Sequence, residues 1–138
     1  MDLRVVSYNC FSIRKRIDPI KDILKNNDIL FCQEIILLKD DCSMLEQLDI
    51  NFEVLYVPSR VPEGHGDGRP IGGLAIFYRK SLGLDVRVVE EHENFQFIKI
   101  IANNETYFLG NIYICHAIME LPRRLQTTSA CWGSCSYV

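Results

Sequence analysis

Two short runs, Arg4-Val5-Val6-Ser7-Tyr8-Asn9 and Asp28-Ile29-Leu30-Phe31-Cys32-Gln33-Glu34, decide the fold. Between them Ile20, Ile23 and Leu24 recur at helical spacing. Asp18 reads as the N-cap of that helix and Pro19 falls in its first turn. The helix is expected to stop near Asn26-Asn27. The second run is too short and too apolar for a surface helix, so it reads as a buried strand ended by Gln33-Glu34. A helical crossover makes the two strands parallel. Asn9 and Glu34 then finish at the same edge of the sheet, side by side if the strands are neighbours. Open sheets place their ligands at that carboxyl edge.

Working outward, Ser43-Met44-Leu45-Glu46 has the form of a capping box and predicts a short helix to about Leu48. Phe52 to Val57 reads as a strand. The stretch from Pro58 to Pro70 is rich in glycine and proline and reads as a long loop, either a binding or substrate-facing segment or plain disorder. Gly72 to Tyr78 re-enters the core as a strand that Arg79-Lys80 ends, and Asp85 to Glu90 is a further strand. Phe95 to Ala102 and Thr106 to Ile114 are joined by Asn103-Asn104, a pair that tolerates positive φ and signals a hairpin. One parallel crossover followed by antiparallel strands predicts a mixed α/β sandwich rather than a doubly wound sheet. From Glu120 the pattern fades. The division expected is a domain over 1–119 and an atypical, poorly packed tail over 120–138, with at most a helical turn from Leu121 to Gln126.

The chain has 138 residues, with 15 Lys plus Arg against 18 Asp plus Glu, a formal net charge of −3. Its 48% hydrophobic content excludes a disordered chain. No run approaches the roughly eighteen apolar residues of a membrane span. The start lacks a secretory pattern, so an intracellular protein of nucleus or cytoplasm, not secreted, is expected. The six cysteines are then expected as free thiols, and Cys115, Cys131 and Cys135 do not form a zinc ladder. Mild acidity gives no bulk argument for nucleic-acid binding, although phosphate contacts need only a local patch.

The segments RVVSYN (4–9), DILFCQE (28–34), GRPIGGLAIFYRKSL (68–82) and YFLGNIYICH (107–116) together resemble the amino-terminal half of the endonuclease/exonuclease/phosphatase superfamily. That superfamily includes apurinic endonucleases, pancreatic-type deoxyribonuclease, inositol polyphosphate and sphingomyelin phosphodiesterases, and the endonucleases of non-LTR retrotransposons. The Gly-Gly-hydrophobic strand ending in Arg-Lys and the Asn-Ile-Tyr ending look most like the last group. The fold implied is a partial four-layer α/β sandwich, a mixed sheet with flanking helices.

The resemblance carries three roles. Asn9 falls on the asparagine beside metal and substrate phosphate, Glu34 on the glutamate that ligates the catalytic divalent metal, and Tyr113 on the tyrosine that helps position the phosphate. The family usually has proline two residues beyond that tyrosine, whereas this chain continues Ile114-Cys115-His116. The chemistry agrees: magnesium, or manganese in its place, is a hard cation often held by one or two carboxylates plus phosphate. A neutral amide bonds a phosphate oxygen without repelling it. Such a metal draws off charge developing on phosphorus and lowers the pKa of its water. Taken without the resemblance, Glu34 reads as a strand-end surface acid, Asn9 as a turn residue and Tyr113 as core filler. Arg69 and Arg79 are candidate phosphate contacts, with a solvated edge as the alternative. His65 receives no role. His116 stands in the wrong place, without the preceding aspartate, for the family's histidine.

The family's second half carries an Asp-x-Asn motif and a terminal Asp-His pair. After Tyr113 this chain has no aspartate or asparagine, and its one acid there is Glu120. The expectation is an endonuclease-type phosphodiesterase by descent, incomplete and without turnover, whose partner if active is nucleic acid, DNA ahead of RNA. A non-catalytic remnant or binding module, and a fragment of an inositol- or lipid-phosphate phosphodiesterase, are the alternatives. The first sheet is also expected to lack the opposing sheet that would cover one of its faces.

Overall fold

The computed structural model describes residues 2–63, 68–114 and, for the backbone alone, 135–137. The first sheet is built from β1 (Val5–Asn9), β2 (Ile29–Gln33), β3 (Phe52–Val57) and β4 (Leu74–Arg79), in the spatial order β1-β2-β4-β3. Helix α1 (Ile17–Asn26) makes the crossover, and β1 lies parallel to β2 from Val5↔Ile29 to Asn9↔Gln33. The expected juxtaposition of Asn9 with the end of β2 is therefore present. β4 runs antiparallel to β2 and to β3, which makes the sheet mixed.

The second sheet is antiparallel: β5 (Asp85–His92), β6 (Phe95–Ala102), β7 (Glu105–Ile112) and β8 (Cys135–Tyr137), in that order. Asn103 and Asn104 turn the β6–β7 hairpin at φ 50° and 65°, the double positive φ of a type I′ turn. That turn fixes the register from Ala102↔Glu105 to Phe95↔Ile112.

Strand alternation divides the first sheet's side chains between two cores. Leu30, Cys32, Ala75 and Phe77 meet Ile20 and Leu24 of α1 and Cys42 and Leu45 of the following segment. Ile29, Phe31 and Ile76 on the other face meet Ile98, Ile100 and Leu109 of the second sheet. β2 is buried on both faces, which is why its sequence is continuously apolar. The expectation of an uncovered first sheet is thus corrected: the chain supplies its own opposing sheet through the β6–β7 hairpin. Mixed strands in two packed sheets, flanked by helix on the outer face of the first, bear out the α/β sandwich.

Two local expectations also change. α1 begins at Ile17, with Arg16 flanking it and no side-chain cap. Ile17 packs on the same core as Ile20 and Leu24, so the apolar stripe extends one turn earlier and Asp18 and Pro19 lie inside the first turn. Residues Lys39–Gln47 form a 3-10 helix, again without a side-chain cap. Burial of Cys42 and Leu45 sets its phase, and Ser43 falls in its interior rather than at its start. Residues 135–137 pair with the edge of β7 from Gly110↔Tyr137 to Ile112↔Cys135. The Leu121–Gln126 turn, the 120–134 part of the tail, His65, His116, Cys115 and Cys131 lie outside the described residues. Cys10, Cys32 and Cys42 are free and buried. No helix among the described residues is long and apolar enough to cross a membrane.

Candidate functional site at the carboxyl edge

Where β1 and β2 end, their chains continue side by side. The Cys10 N–H donates to the Gln33 carbonyl at 2.9 Å, Ser12 N–H to Glu34 at 3.0 Å and Ile13 N–H to Ile35 at 3.1 Å. Holding this path puts Phe11, Ser12, Glu34 and Ile36 at φ 46°, 82°, 52° and 51°. None is glycine or asparagine, and a left-handed conformation costs an L-residue about 1–2 kcal/mol. Strain of this kind concentrates at functional sites.

The surrounding loop enforces it. Ile35 and Ile36 N–H donate to the Gly73 and Gly72 carbonyls at 3.3 and 3.2 Å. Ser59 Oγ accepts from the Leu37 N–H at 2.9 Å and donates to the Gly72 carbonyl at 2.8 Å. Gly73 itself sits at φ 87°, where a Cβ would lie 2.5 Å from Ser59 Oγ and 2.6 Å from Ile35 Cγ1. Only glycine fits there.

On this frame the Tyr113 hydroxyl donates to Glu34 Oε1. Tyr113 lies one residue past β7, with its N–H on the Asn94 carbonyl at 2.9 Å, so the contact joins the ends of β2 and β7 across the two sheets. Glu34 is half-buried. A carboxylate offers about four acceptor positions, so one phenol leaves it capacity for a cation. Asn9 Oδ1 accepts the Phe11 N–H at 3.1 Å. That bond takes one of the oxygen's two lone pairs, and Nδ2 is the donor that Asn9 can offer. An N–H donor suits a phosphate oxygen and does not suit a metal.

Behind this edge lies a buried amide chain that the sequence reading did not single out. Gln33, Asn111 and Gln96 are all essentially inaccessible. Gln33 Nε2 donates to Asn111 Oδ1 at 2.7 Å and to Ser7 Oγ at 3.0 Å. Asn111 Nδ2 is shared among the Cys32 carbonyl at 3.1 Å, the Ala75 carbonyl at 3.2 Å and Gln96 Oε1 at 3.0 Å. Gln96 Nε2 reaches the Leu55 carbonyl at 3.2 Å. The two carbonyls fix the Asn111 orientation, and that fixes Gln33, whose Oε1 is left buried without a partner. The available signal was strand parity: Gln33 shares a face with Ile29 and Phe31, so it had to point into the layer between the sheets.

The remaining candidates separate. Arg69 is exposed in the loop from β3 to β4, which rejoins the sheet at Leu74 beside Gln33. Arg79 is at the opposite edge, where its N–H bonds the Asp28 carbonyl at 2.9 Å. Its guanidinium donates to the Leu24 and Asn27 carbonyls at 2.8 Å each, stands 3.5 Å from Asp28 Oδ1 and lies over the Phe52 ring. It closes the carboxyl end of α1, and the structure does not bring it to Asn9 and Glu34. Among the described residues no group of three or more His, Cys, Asp or Glu side chains gathers as a metal cluster.

No protein-family profile matches the sequence, and no curated protein matches it. Solved structures do. An AP endonuclease from Leishmania major superposes with a TM-score of 0.67 at 15% identity, over 91% of this chain and 45% of its own. A 3′ phosphatase from Neisseria, bound to a product DNA hairpin, gives a TM-score of 0.51 at 16% identity, over 78% of this chain and 40% of its own. The endonuclease domain of TRAS1, a telomere-specific non-LTR retrotransposon, gives 0.48 at 16% identity, over 94% and 54%. The first two share the sandwich fold with this chain, which spans less than half of their length.

Proposed function

We propose that the edge formed by Asn9, Glu34 and Tyr113 is the metal- and phosphate-binding part of an endonuclease-type phosphodiesterase site, acting on nucleic acid and on DNA ahead of RNA. The observation that carries this reading is the hydrogen bond from Tyr113 to Glu34. It joins two residues 79 positions apart that the family resemblance assigns separately to phosphate and metal. The fold shared with an AP endonuclease and with a 3′ phosphatase bound to a DNA hairpin supports the same reading, and the Gly72-Gly73 and Asn111-Ile112-Tyr113 patterns favour the retrotransposon branch within it.

The residues fit a hard cation. Glu34 is an oxygen donor with lone pairs to spare, and magnesium or manganese is commonly held by one or two carboxylates together with water and phosphate oxygens. When bound, the cation supplies Lewis-acid stabilisation of charge at the phosphoryl group. The chain's own part is positional. Tyr113 holds the carboxylate in one orientation, the strained 34–36 turn presents it at the edge, and Asn9 Nδ2 donates to a phosphate oxygen beside it. Hydrolysis also needs a group that activates water. The resemblance places that group in the family's second half, so the reading for this chain is binding without turnover.

The test is the binding of a fluorescent DNA oligonucleotide with and without magnesium at fixed salt, beside supercoiled-plasmid nicking. Magnesium-enhanced binding that Glu34→Gln removes, with no nicking, is expected. Equal enhancement in the variant overturns the site. Nicking that Glu34→Gln abolishes overturns the incomplete assignment and leaves the site standing.

A further inference from the structure

The segment between Asn9 and α1 carries a feature the phosphodiesterase site does not use. Phe11 is 65% exposed, the first side chain beyond the cysteine that follows Asn9. Its position is enforced rather than incidental. Its φ of 46° is one that a bulky residue rarely adopts, and its N–H is tied to Asn9 Oδ1. The Ser12 N–H is tied in turn to the Glu34 carbonyl. The ring is thus mounted on the same strained turn that presents Asn9 and Glu34.

Beyond it, on the short 3-10 helix Ile13–Lys15 and its flank, stand Arg14, Lys15 and Arg16. Arg14 and Lys15 are exposed and Arg16 half-buried. The Arg14 ion pair with Asp41, at 3.3 Å, is more than half exposed on both sides and so holds the guanidinium weakly. In a chain of net charge −3 this is a local run of three cations directly following an exposed aromatic. In sequence the cations directly follow the exposed ring, and that pairing of residue types is the one that holds single-stranded nucleic acid: a ring stacks on a base and cations follow the backbone.

We propose that residues 11–16 form a subsite for an unpaired nucleotide next to the bound phosphate, with Phe11 stacking on its base and Lys15 and Arg16 meeting the neighbouring backbone. The inference rests on the phosphodiesterase reading and narrows its substrate to nucleic acid that is single-stranded or unstacked beside the phosphate.

The experiment is fluorescence anisotropy with a short oligothymidylate, an oligouridylate of equal length and a blunt DNA hairpin, over a salt series in magnesium. Phe11→Ala is expected to weaken both single strands about five- to a hundred-fold, the range of one lost base stack, and to leave the hairpin within two-fold or so. Phe11→Trp is expected to restore binding, which separates stacking from a folding defect. Lys15→Ala is expected to reduce the salt slope by about 0.7 on single strands. Equal affinity of Phe11→Ala and the unaltered chain for the single strands overturns the subsite. If Glu34→Gln still loses the magnesium-dependent increment in that case, the phosphodiesterase reading survives alone. If neither variant changes anything, both fall.

Discussion

Replacing Asn111 by leucine tests the buried amide chain most sharply. Leucine matches the volume but removes the acceptor for Gln33 Nε2 at 2.7 Å and the donor to Gln96 Oε1 at 3.0 Å. Gln33 keeps Ser7, while Gln96 Oε1 joins Gln33 Oε1 as a buried oxygen without a partner. Each buried polar group left unpaired costs about 1–3 kcal/mol. With the four hydrogen bonds of Asn111 lost and one side-chain oxygen orphaned, the variant should be about 3–5 kcal/mol less stable. That is a large share of the roughly 5–15 kcal/mol of a typical domain, and it should lower Tm by about 10–20 °C at a few degrees per kcal/mol.

The triple variant Gln33→Leu, Asn111→Leu, Gln96→Leu should recover most of that loss. Replacing a complete buried network with apolar groups of similar shape removes the orphans together with the bonds. Urea unfolding followed by far-ultraviolet circular dichroism measures all three proteins. A single-variant loss below about 1 kcal/mol, or a triple variant no more stable than the single one, would refute the reasoning.

Gly73→Ala should lose about 2–4 kcal/mol, from the left-handed backbone and from overpacking against Ser59 and Ile35; thermal melts read it directly. Arg79→Leu removes the guanidinium donor from the carboxyl end of α1 and leaves Asp28 with the Arg4 backbone N–H at 2.9 Å and the exposed Arg4 guanidinium at 3.6 Å. A loss of about 2 kcal/mol with unchanged oligonucleotide affinity is expected, and weakened affinity in a folded variant would return Arg79 to the list of phosphate contacts. Burial, with Cys10 beside it, pushes the Cys32 thiol up, so the folded chain keeps a proton that the unfolded chain releases. Its stabilising contribution is complete below the unfolded thiol value of about 8.5 and is lost as pH rises from there toward the folded value. Cys32→Val should therefore flatten the fall in urea midpoint above that pH, and an unchanged alkaline slope would contradict the assignment.

The parallel pair and the hairpin were legible because they rest on local signals, an apolar run, a helical stripe and an Asn-Asn turn, whereas the packing of the second sheet on the first was not. The meeting of Asn9 with the end of β2 followed from chain direction alone. What stayed hidden depends on partners distant in sequence. Glu34-Ile35-Ile36 carries no glycine or asparagine to announce positive φ, and its path is imposed by Gly72, Gly73 and Ser59. Gln33 and Asn111 look like strand-end polar residues until the sheets stack and bury both. Ser43 and Asp18 have the local chemistry of caps, but burial of Cys42, Leu45 and Ile17 sets where those helices begin. Arg79 ended a strand as expected, yet which edge it occupies depends on β4 running antiparallel to β2.

The central claim is that Glu34, held by Tyr113 and flanked by Asn9, binds a divalent metal. The most direct measurement is manganese titration followed by paramagnetic broadening of backbone amide signals in the isotope-labelled chain. The account requires broadening centred on residues 9–12, 34–36 and 113, abolished in Glu34→Gln at the same manganese concentration. Broadening centred elsewhere, for example on Asp40-Asp41 or Glu90-Glu91, or a pattern unchanged in the variant, would contradict it.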